Sequence, residues 1–329
     1  MAHRLAVTRG GRLLDFTELA GNIAWSSHMD TLGEELSFSY AANDAAGFPS
    51  RTFIQEGDVI ALLNGHTLLR QYVVTGSEPT GRFGKNVTCY DFAWYLNKNE
   101  TVIQFKKISV SSAIAKLCEK FGIKHDIVSI KTLVTKIYKG DVVSEILTDL
   151  LDQAKQETGT AYYMEMNGDT LTVRSRAGLL IKPMIRLSDR SPLIPVSALI
   201  SESSRSTSIE DMKNKVLVAS EDEESVKVFA EAADSASVVR YGQLTQVVTL
   251  EGKNAAQARQ IAKTALAEAN RVHESCSLTL PGHDDIKAGR MMDFNEPITG
   301  IVGRYLITSA SHSVAGGIHK VSVELEATA

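Results

Sequence analysis

Residues 90–100 read YDFAWYLNKNE. Four aromatic rings, an alanine and a leucine crowd into the seven places from Tyr90 to Leu96, and Asn97-Lys98-Asn99-Glu100 is then wholly polar. The stretch holds no histidine, cysteine or serine. It reads as architecture: the end of one apolar folding region and the turn by which the chain leaves for the next.

Upstream, the chain has strand grammar. Asp58-Val59-Ile60-Ala61-Leu62-Leu63 runs into Asn64-Gly65, and His66 to Thr75 returns. Asn-Gly between apolar runs predicts a hairpin, because a type I′ turn needs positive φ at both central residues. Gly76 to Gly81 supplies another turn, after which Val87, Cys89 and Asp91 alternate with Thr88 and Tyr90. A meander of short strands closes most readily into a barrel or sandwich.

Downstream the period changes. In SVSSAIAKLCEKFG, Ile114, Leu117, Cys118 and Phe121 share one helical face, with Ser111 or Ser112 as cap and Gly122 as stop. A second helix is expected from about Asp141, carrying Val142, Ile146, Leu147, Leu150, Leu151 and Ala154, with Gly159 after it. Ala161–Met166 and Thr170–Val173 read as a strand pair around Asn167-Gly168-Asp169. Residues of about 105 to 180 therefore form a small α+β unit.

Residues 201–240 are polar and read as exposed loops between strands at Lys215–Ala219 and Ser225–Phe229. The acidic run Ser220-Glu-Asp-Glu-Glu-Ser225 reads as a solvated loop rather than a cation site. A third helix is predicted over about 254–271. Asn254 and Gln257 have capping-box spacing, and Ala258, Ile261, Ala262, Ala265, Leu266 and Ala269 make a narrow stripe of mostly small residues. Strands return at Cys276–Leu280, Arg290–Phe294, Arg304–Ser309 and Lys320–Glu326.

Two places echo each other. Tyr72-Val-Val-Thr75 leads through a glycine-containing turn to Lys85-Asn-Val-Thr-Cys89, and Tyr305-Leu-Ile-Thr308 leads through Gly316-Gly317 to Lys320-Val-Ser-Val323. This predicts two similar β-barrels, one at each end of the chain, with the α+β unit between them. Val59–Leu63 and Ala177–Ile181 run apolar without alternation, as strands covered on both faces do.

The 329 residues suit two or three domains, at roughly 100–200 residues each. A net charge of −4 disfavours a general nucleic-acid binder. No apolar run approaches the ~20 residues of a membrane span, and MAHRLAVTRGGRLLDF lacks the apolar segment of a secretory signal. Cys89, Cys118 and Cys276 are far apart and odd in number, so free buried thiols are expected.

Chemistry is hard to find. Gly76-x4-Gly81 has phosphate-loop spacing, but Arg82 follows where lysine is needed, and a strand follows where a helix is needed. GxGxxG, HExxH and GxSxG are absent, and His273-Glu274 stands alone. His283, His312 and His319 could converge, yet no carboxylate or cysteine falls at ligand spacing, and His312 is expected to hydrogen-bond a neighbouring loop. Hence no catalytic, cofactor-binding or metal residues are expected, and no enzyme.

Asp91 with Tyr95-Leu-Asn-Lys-Asn-Glu100 resembles the end of the first barrel in XkdQ/YqbQ-type proteins of phages and phage-like tails, which belong with the late-control-protein-D-like baseplate hubs of contractile tails. Ser111–Gly122, the Ala255–Ala269 helix leading to Ser277-Leu-Thr-Leu-Pro-Gly282, Ile286-Lys-Ala-Gly289, Gly303-x-Tyr305 and Ser311-His-Ser313 with Gly316-Gly317 match that pattern in order, from about residue 55 to the end. The resemblance implies an α+β, mainly β fold: a first tube-like barrel (1–104), an inserted LysM-like unit (105–182) and a second tube-like barrel (183–329). Tyr90–Leu96 would then be the last strand and corner of the first barrel, packed by Phe92 and Trp94, and Asn97–Glu100 the exit turn.

It also implies a role. Such a protein would be a structural baseplate hub of a phage, tailocin or similar injection system, assembled in the host cytoplasm. A homotrimer of two-barrel chains would join a hexameric tail tube to a trimeric spike around a central channel, touching other baseplate proteins and the tape-measure protein. No specific nucleic acid and no membrane insertion are implied. The alternative is a tail component that binds or degrades peptidoglycan, using Tyr138, Tyr162 and Tyr163; an unrelated β-rich binding protein is a third reading.

Overall fold

A computed structural model describes residues 3–43, 45, 47, 49–188, 190–220, 227–250 and 258–327. The first strands are β1 (His3–Arg9), β2 (Arg12–Asp15), β3 (Ala20–His28) and β4 (Glu34–Ala41). In β4, Leu36, Phe38 and Tyr40 are buried on one face while Ser37 and Ser39 are less so, the period of two of a half-covered strand. β5 (Val59–Asn64), β6 (Thr67–Thr80) and β7 (Gly84–Tyr90) make the expected meander. Its first turn lies one residue later than predicted: Asn64 pairs with Thr67, so Gly65-His66 form the loop, and only Gly65 takes positive φ, +61°.

The opening stretch is corrected at its centre. Tyr90 ends β7, and Ala93–Lys98 is a helix, α1, not a strand. Asp91 causes the switch by accepting the backbone N–H of Ala93 at 3.0 Å, an Asx turn that bends the chain. Ala93 and Leu96 are buried with the α+β core; Phe92 is partly buried against that core and Trp94 is half-buried, so these rings do not pack a barrel interior. Asn99 closes the helix, and its side chain donates to the Tyr95 carbonyl at 2.7 Å.

The next elements are β8 (Glu100–Ser109), α2 (Val110–Lys120), β9 (Lys124–Ile127), β10 (Leu133–Val142), α3 (Val143–Thr158), β11 (Tyr162–Asn167) and β12 (Thr170–Ser175). Both predicted helices are present. The cap of α2 is Ser109, earlier than expected, accepting from Ser112 N–H; Gly159 ends α3 at φ +70°. Ile114, Leu117, Cys118, Ile146, Leu147, Leu150 and Ala154 fill one core with Phe105, Leu171 and Val173. Ala177–Ile181 is not a strand: Arg176–Gly178 forms a 3-10 turn and the segment is at most half-buried.

A short pair, β13 (Met184–Ile185) and β14 (Ile194–Pro195), precedes β15 (Glu202–Ser208), β16 (Lys215–Ser220), β17 (Val228–Ala233), α4 (Ser235–Tyr241), β18 (Thr245–Leu250) and α5 (Ala258–Ala269). The 201–240 region is thus more regular than expected. α4 is an unforeseen helix, capped by Asp234, whose side chain accepts from Ala236 and Ser237 N–H. The acidic run at 221–226 and the Asn254–Gln257 capping box lie outside the described residues. β19 (His273–Pro281), β20 (Met291–Glu296), β21 (Ile301–Ala315) and β22 (Ile318–Ala327) follow.

Two compact units result. The second, Arg205–Cys276, holds the three-stranded sheet β17-β16-β18; Ala258 and Ala262 of α5 pack against Val216 and Val218, so the small-residue stripe allows helix and sheet to approach closely. The first unit is Met1–Ser204 with Ser277–Ala329. Its sheet path runs β15-β19-β22-β21-β3-β4-β7-β6-β5-β1-β2, with β20 pairing β21 off the path. Among the described residues the path does not close into a barrel; β15 and β2 are its ends.

The sheet, with β20 included, contains one order twice. β5-β6-β7-β4-β3 and β20-β21-β22-β19-β15 are neighbour sequences of the same form, each built on a long hairpin whose return strand pairs the strand preceding the meander. The halves join where β21 pairs β3, from Ser309↔His28 to Val314↔Ile23. No helix among the described residues is long and apolar enough to cross a membrane.

Candidate functional site

The polar chemistry of the first unit gathers around residues 282–290, the loop between β19 and β20. On β21 and β22, His312 pairs Val321 and Val314 pairs His319, which sets His312 and His319 diagonally on one face. Across the sheet His312 pairs Trp25 of β3, and their rings stack at 4.6 Å and 4°. His312 Nε2 contacts the Ile286 carbonyl at 2.7 Å. A carbonyl only accepts, so Nε2 carries the proton, and Nδ1 accepts from His319 Nε2 at 2.9 Å.

Beside them, His3 Nε2 lies 2.8 Å from Asp284 Oδ1, and Asn64 Nδ2 donates to Asp284 Oδ2 at 2.7 Å. Burial pushes His312 down to about 3, helped by the neighbouring His319; burial and His3 push His319 down to about 4. Burial alone would raise Asp284, but the hydrogen bonds from His3 and Asn64 outweigh it and hold its carboxyl well below the usual carboxylate range. Near neutral pH this is a pair of uncharged imidazoles beside a carboxylate.

A second cluster adjoins the first. Arg70 Nε pairs with Glu34 Oε2 at 2.5 Å, and Tyr72 donates to the same oxygen at 3.1 Å. Asp91 accepts from Glu34 N–H and Ala93 N–H; burial, with the nearby Glu34 charge, pushes its carboxyl up to about 7. Gly33 is required here, at φ +108°, because a Cβ would meet Asp91 Oδ1 at 2.7 Å. From the loop, Lys287 and Arg290 both reach Glu165 of β11 at 2.8 Å. Ala288 N–H donates to Ser27 Oγ at 3.0 Å, and Gly289 N–H to the Ile307 carbonyl at 2.8 Å. The loop therefore clasps β1, β3, β11 and the β21–β22 hairpin together. Its groups are paired ions and hydrogen bonds rather than an activated nucleophile beside a base.

The expected hydrogen bond from His312 to a neighbouring loop is present. His312 and His319 are in direct contact; His283 is near enough for its charge to act on His319, and its own ring lies 3.6 Å from Asp285. His3 and Asp284 were missed; they lie 281 residues apart in sequence, and no spacing rule connects them. Cys89, Cys118 and Cys276 are buried and free, and burial raises all three thiols, Cys118 to about 12 and Cys276 to about 11. Glu274 beside His273 binds Arg205 at 2.7 Å and accepts from Cys276. Gly76 and Thr80 lie within β6, and Gly81 turns the chain into β7, so this glycine pair shapes a hairpin. Tyr138 is buried with its hydroxyl on Asp149; Tyr162 and Tyr163 are half-buried. One open groove in the first unit is lined by Asp30, Leu32, Asn97, Glu145, Asp149 and Asp152.

This fold is one that solved tail proteins share. A prophage MuSo2 43 kDa tail protein from Shewanella oneidensis is similar over 98% of both chains, at 14% identity and TM-score 0.70. A tail protein from Neisseria meningitidis MC58 is similar over 99% of this chain and 97% of its own, at 14% identity and TM-score 0.68. An Escherichia coli component of the type VI secretion system, described as structurally similar to phage T4 tail proteins gp27 and gp5, matches 99% of this chain and 77% of its own, at 10% identity and TM-score 0.56. No curated protein matches. The chain belongs to the YQBQ-like family, whose model matches residues 23–326.

Proposed function

We propose that this protein is a non-enzymatic baseplate hub of a contractile tail or related injection system, a trimeric ring joining a hexameric tube to a trimeric spike around a central channel. The observation that carries this reading is the repeated strand order, β5-β6-β7-β4-β3 and β20-β21-β22-β19-β15, within one chain. A chain with two like halves offers two like surfaces, so three copies present six, and a threefold spike can meet a sixfold tube without distorting either. Family membership and full-length likeness to tail-protein folds support it. In this reading residues 1–104 and 183–329 each supply a barrel-like half and 105–182 the LysM-like insertion. Partners are tube, spike, other baseplate proteins and the tape-measure protein, in a phage, tailocin or similar particle.

Peptidoglycan binding is the weaker reading, since of the three tyrosines it called on, Tyr138 is buried and the other two are half-buried. Native mass spectrometry of the chain alone and mixed with the neighbouring tube and spike proteins tests the proposal. A trimer, or a 3:3 complex with spike, is expected. A chain that stays monomeric with both partners overturns the hub reading.

A further inference from the structure

We propose that His3, Asp284 and His319 bind one divalent transition-metal ion of the zinc class. The ion would clasp β1, the 282–290 loop and β22, and this holds whether or not the chain forms a ring.

The donors are already gathered: one ligand atom from each of His3, Asp284 and His319 lies within 4.8 Å of the others. Metal bonds of about 2.0–2.2 Å in a tetrahedron set ligand atoms about 3.3 Å apart. The present His3–Asp284 contact of 2.8 Å therefore needs to open by only about half an ångström. Two imidazoles with one carboxylate suit zinc, cobalt or nickel, whereas calcium and magnesium prefer all-oxygen sets.

The surroundings have the form of a supporting shell. Asn64 orients Asp284 through Oδ2, and the Ile286 carbonyl fixes the His312 tautomer so that its bare nitrogen faces His319. Asn64 Oδ1 is buried with no hydrogen-bond partner. It cannot be paired by flipping the amide, because Nδ2 already serves the carboxylate. Gly282 makes room for the third ligand: a Cβ there would stand 2.1 Å from the His319 ring. Trp25 closes one wall, its ring 5.2 Å from that of His3, 5.1 Å from His319 and 4.6 Å from His312.

That tryptophan gives a direct readout. The full-length chain, stripped with EDTA and dialysed, is titrated with Co2+ while fluorescence and visible absorption are followed, and then with excess Zn2+. The expected result is one ion per chain by native mass spectrometry, quenching by Co2+ that Zn2+ reverses, and quenching kept in Trp94→Phe but lost in Trp25→Phe. His319→Gln and His3→Gln should each weaken binding by at least about tenfold, as loss of one ligand in three requires. Zn2+ should raise the melting temperature of the native sequence and of neither variant. A native-sequence chain that takes up no stoichiometric Co2+ or Zn2+ overturns the proposal, even if a variant fails to fold. So does a folded His3→Gln variant that binds Co2+ as tightly as the native sequence.

Discussion

Asp91 Oδ2 accepts the backbone N–H of Glu34 at 3.0 Å, across 57 residues of sequence, and so ties the start of β4 to the turn before α1. Its carboxyl is pushed from 3.8 up to about 7, so the folded chain holds a proton that the unfolded chain has released. The stabilisation is fully present below the unfolded value and is lost as pH rises through about 7, at up to about 1.4 kcal/mol per pH unit. Asp91→Asn abolishes this dependence. The stability advantage of the native sequence over that variant should shrink between pH 4.5 and pH 7.5 in urea unfolding; a constant difference would show that Asp91 is ionised throughout.

His312 titrates in the opposite sense. Its folded value of about 3 lies below the ordinary 6.5, so the unfolded state takes the proton first. Stability is therefore lost as pH falls from about 6.5 towards 3, by up to about 1.4 kcal/mol per pH unit. In metal-free buffer the native profile between pH 4 and 7 sums these two groups with His319, which burial and His3 push down to about 4 and which acts in the same sense as His312, so the two histidines outweigh the one carboxyl. His312→Gln should flatten its acid limb and Asp91→Asn should steepen it, read as unfolding midpoints between pH 4 and 7.

Glu165→Gln leaves Lys287 and Arg290 facing an uncharged partner in a mostly buried setting. Breaking a buried ionic cluster on one side costs roughly 3–5 kcal/mol. The midpoint of chemical unfolding should drop accordingly. A change under about 1 kcal/mol would mean that water already screens the cluster.

Gly289 has φ +79° and faces the Tyr163 ring, which an added Cβ would meet at 2.5 Å. Gly289→Ala should cost roughly 1–2 kcal/mol for the backbone and about 1–3 kcal/mol for the collision. Tyr163→Leu in the same chain should return only the second part, a coupling that a double-mutant cycle reads directly.

Leu96→Ala tests the corrected reading of the opening stretch. Leu96 is fully buried with Leu117, Leu147 and Leu150, so its truncation should cost about 2–5 kcal/mol. Amide exchange should accelerate in α2 and α3 more than in β5 and β6.

The strand meander, α2, α3 and α5 were legible because each repeats its apolar residues at its own period over two turns or more. α1 was not, because its six residues give one apolar step, Ala93 to Leu96, inside a run of rings that suits a strand equally well. Its one local signal was Asp91, which also reads as a strand position. The hairpin slipped by one residue because Asn64-Gly65-His66 offers two possible centres, and pairing of Asn64 with Thr67 chooses between them. α4 carried a readable cap in Asp234, masked by polar surroundings. The histidine cluster was half legible: His312 and His319 share a hairpin, but His3 and Asp284 reach them only through tertiary folding.

The pairing of β3 with β21 also sets a timetable. On the ribosome, His28 emerges about 280 residues before its partner Ser309, and at about 5–20 residues per second that gap lasts tens of seconds. Throughout it, one edge of β3 has backbone groups with no native strand to meet, the condition under which sheets recruit foreign chains. Production of this protein in a heterologous cell should therefore improve more from slowed growth or added chaperone during synthesis than from stabilising the finished fold.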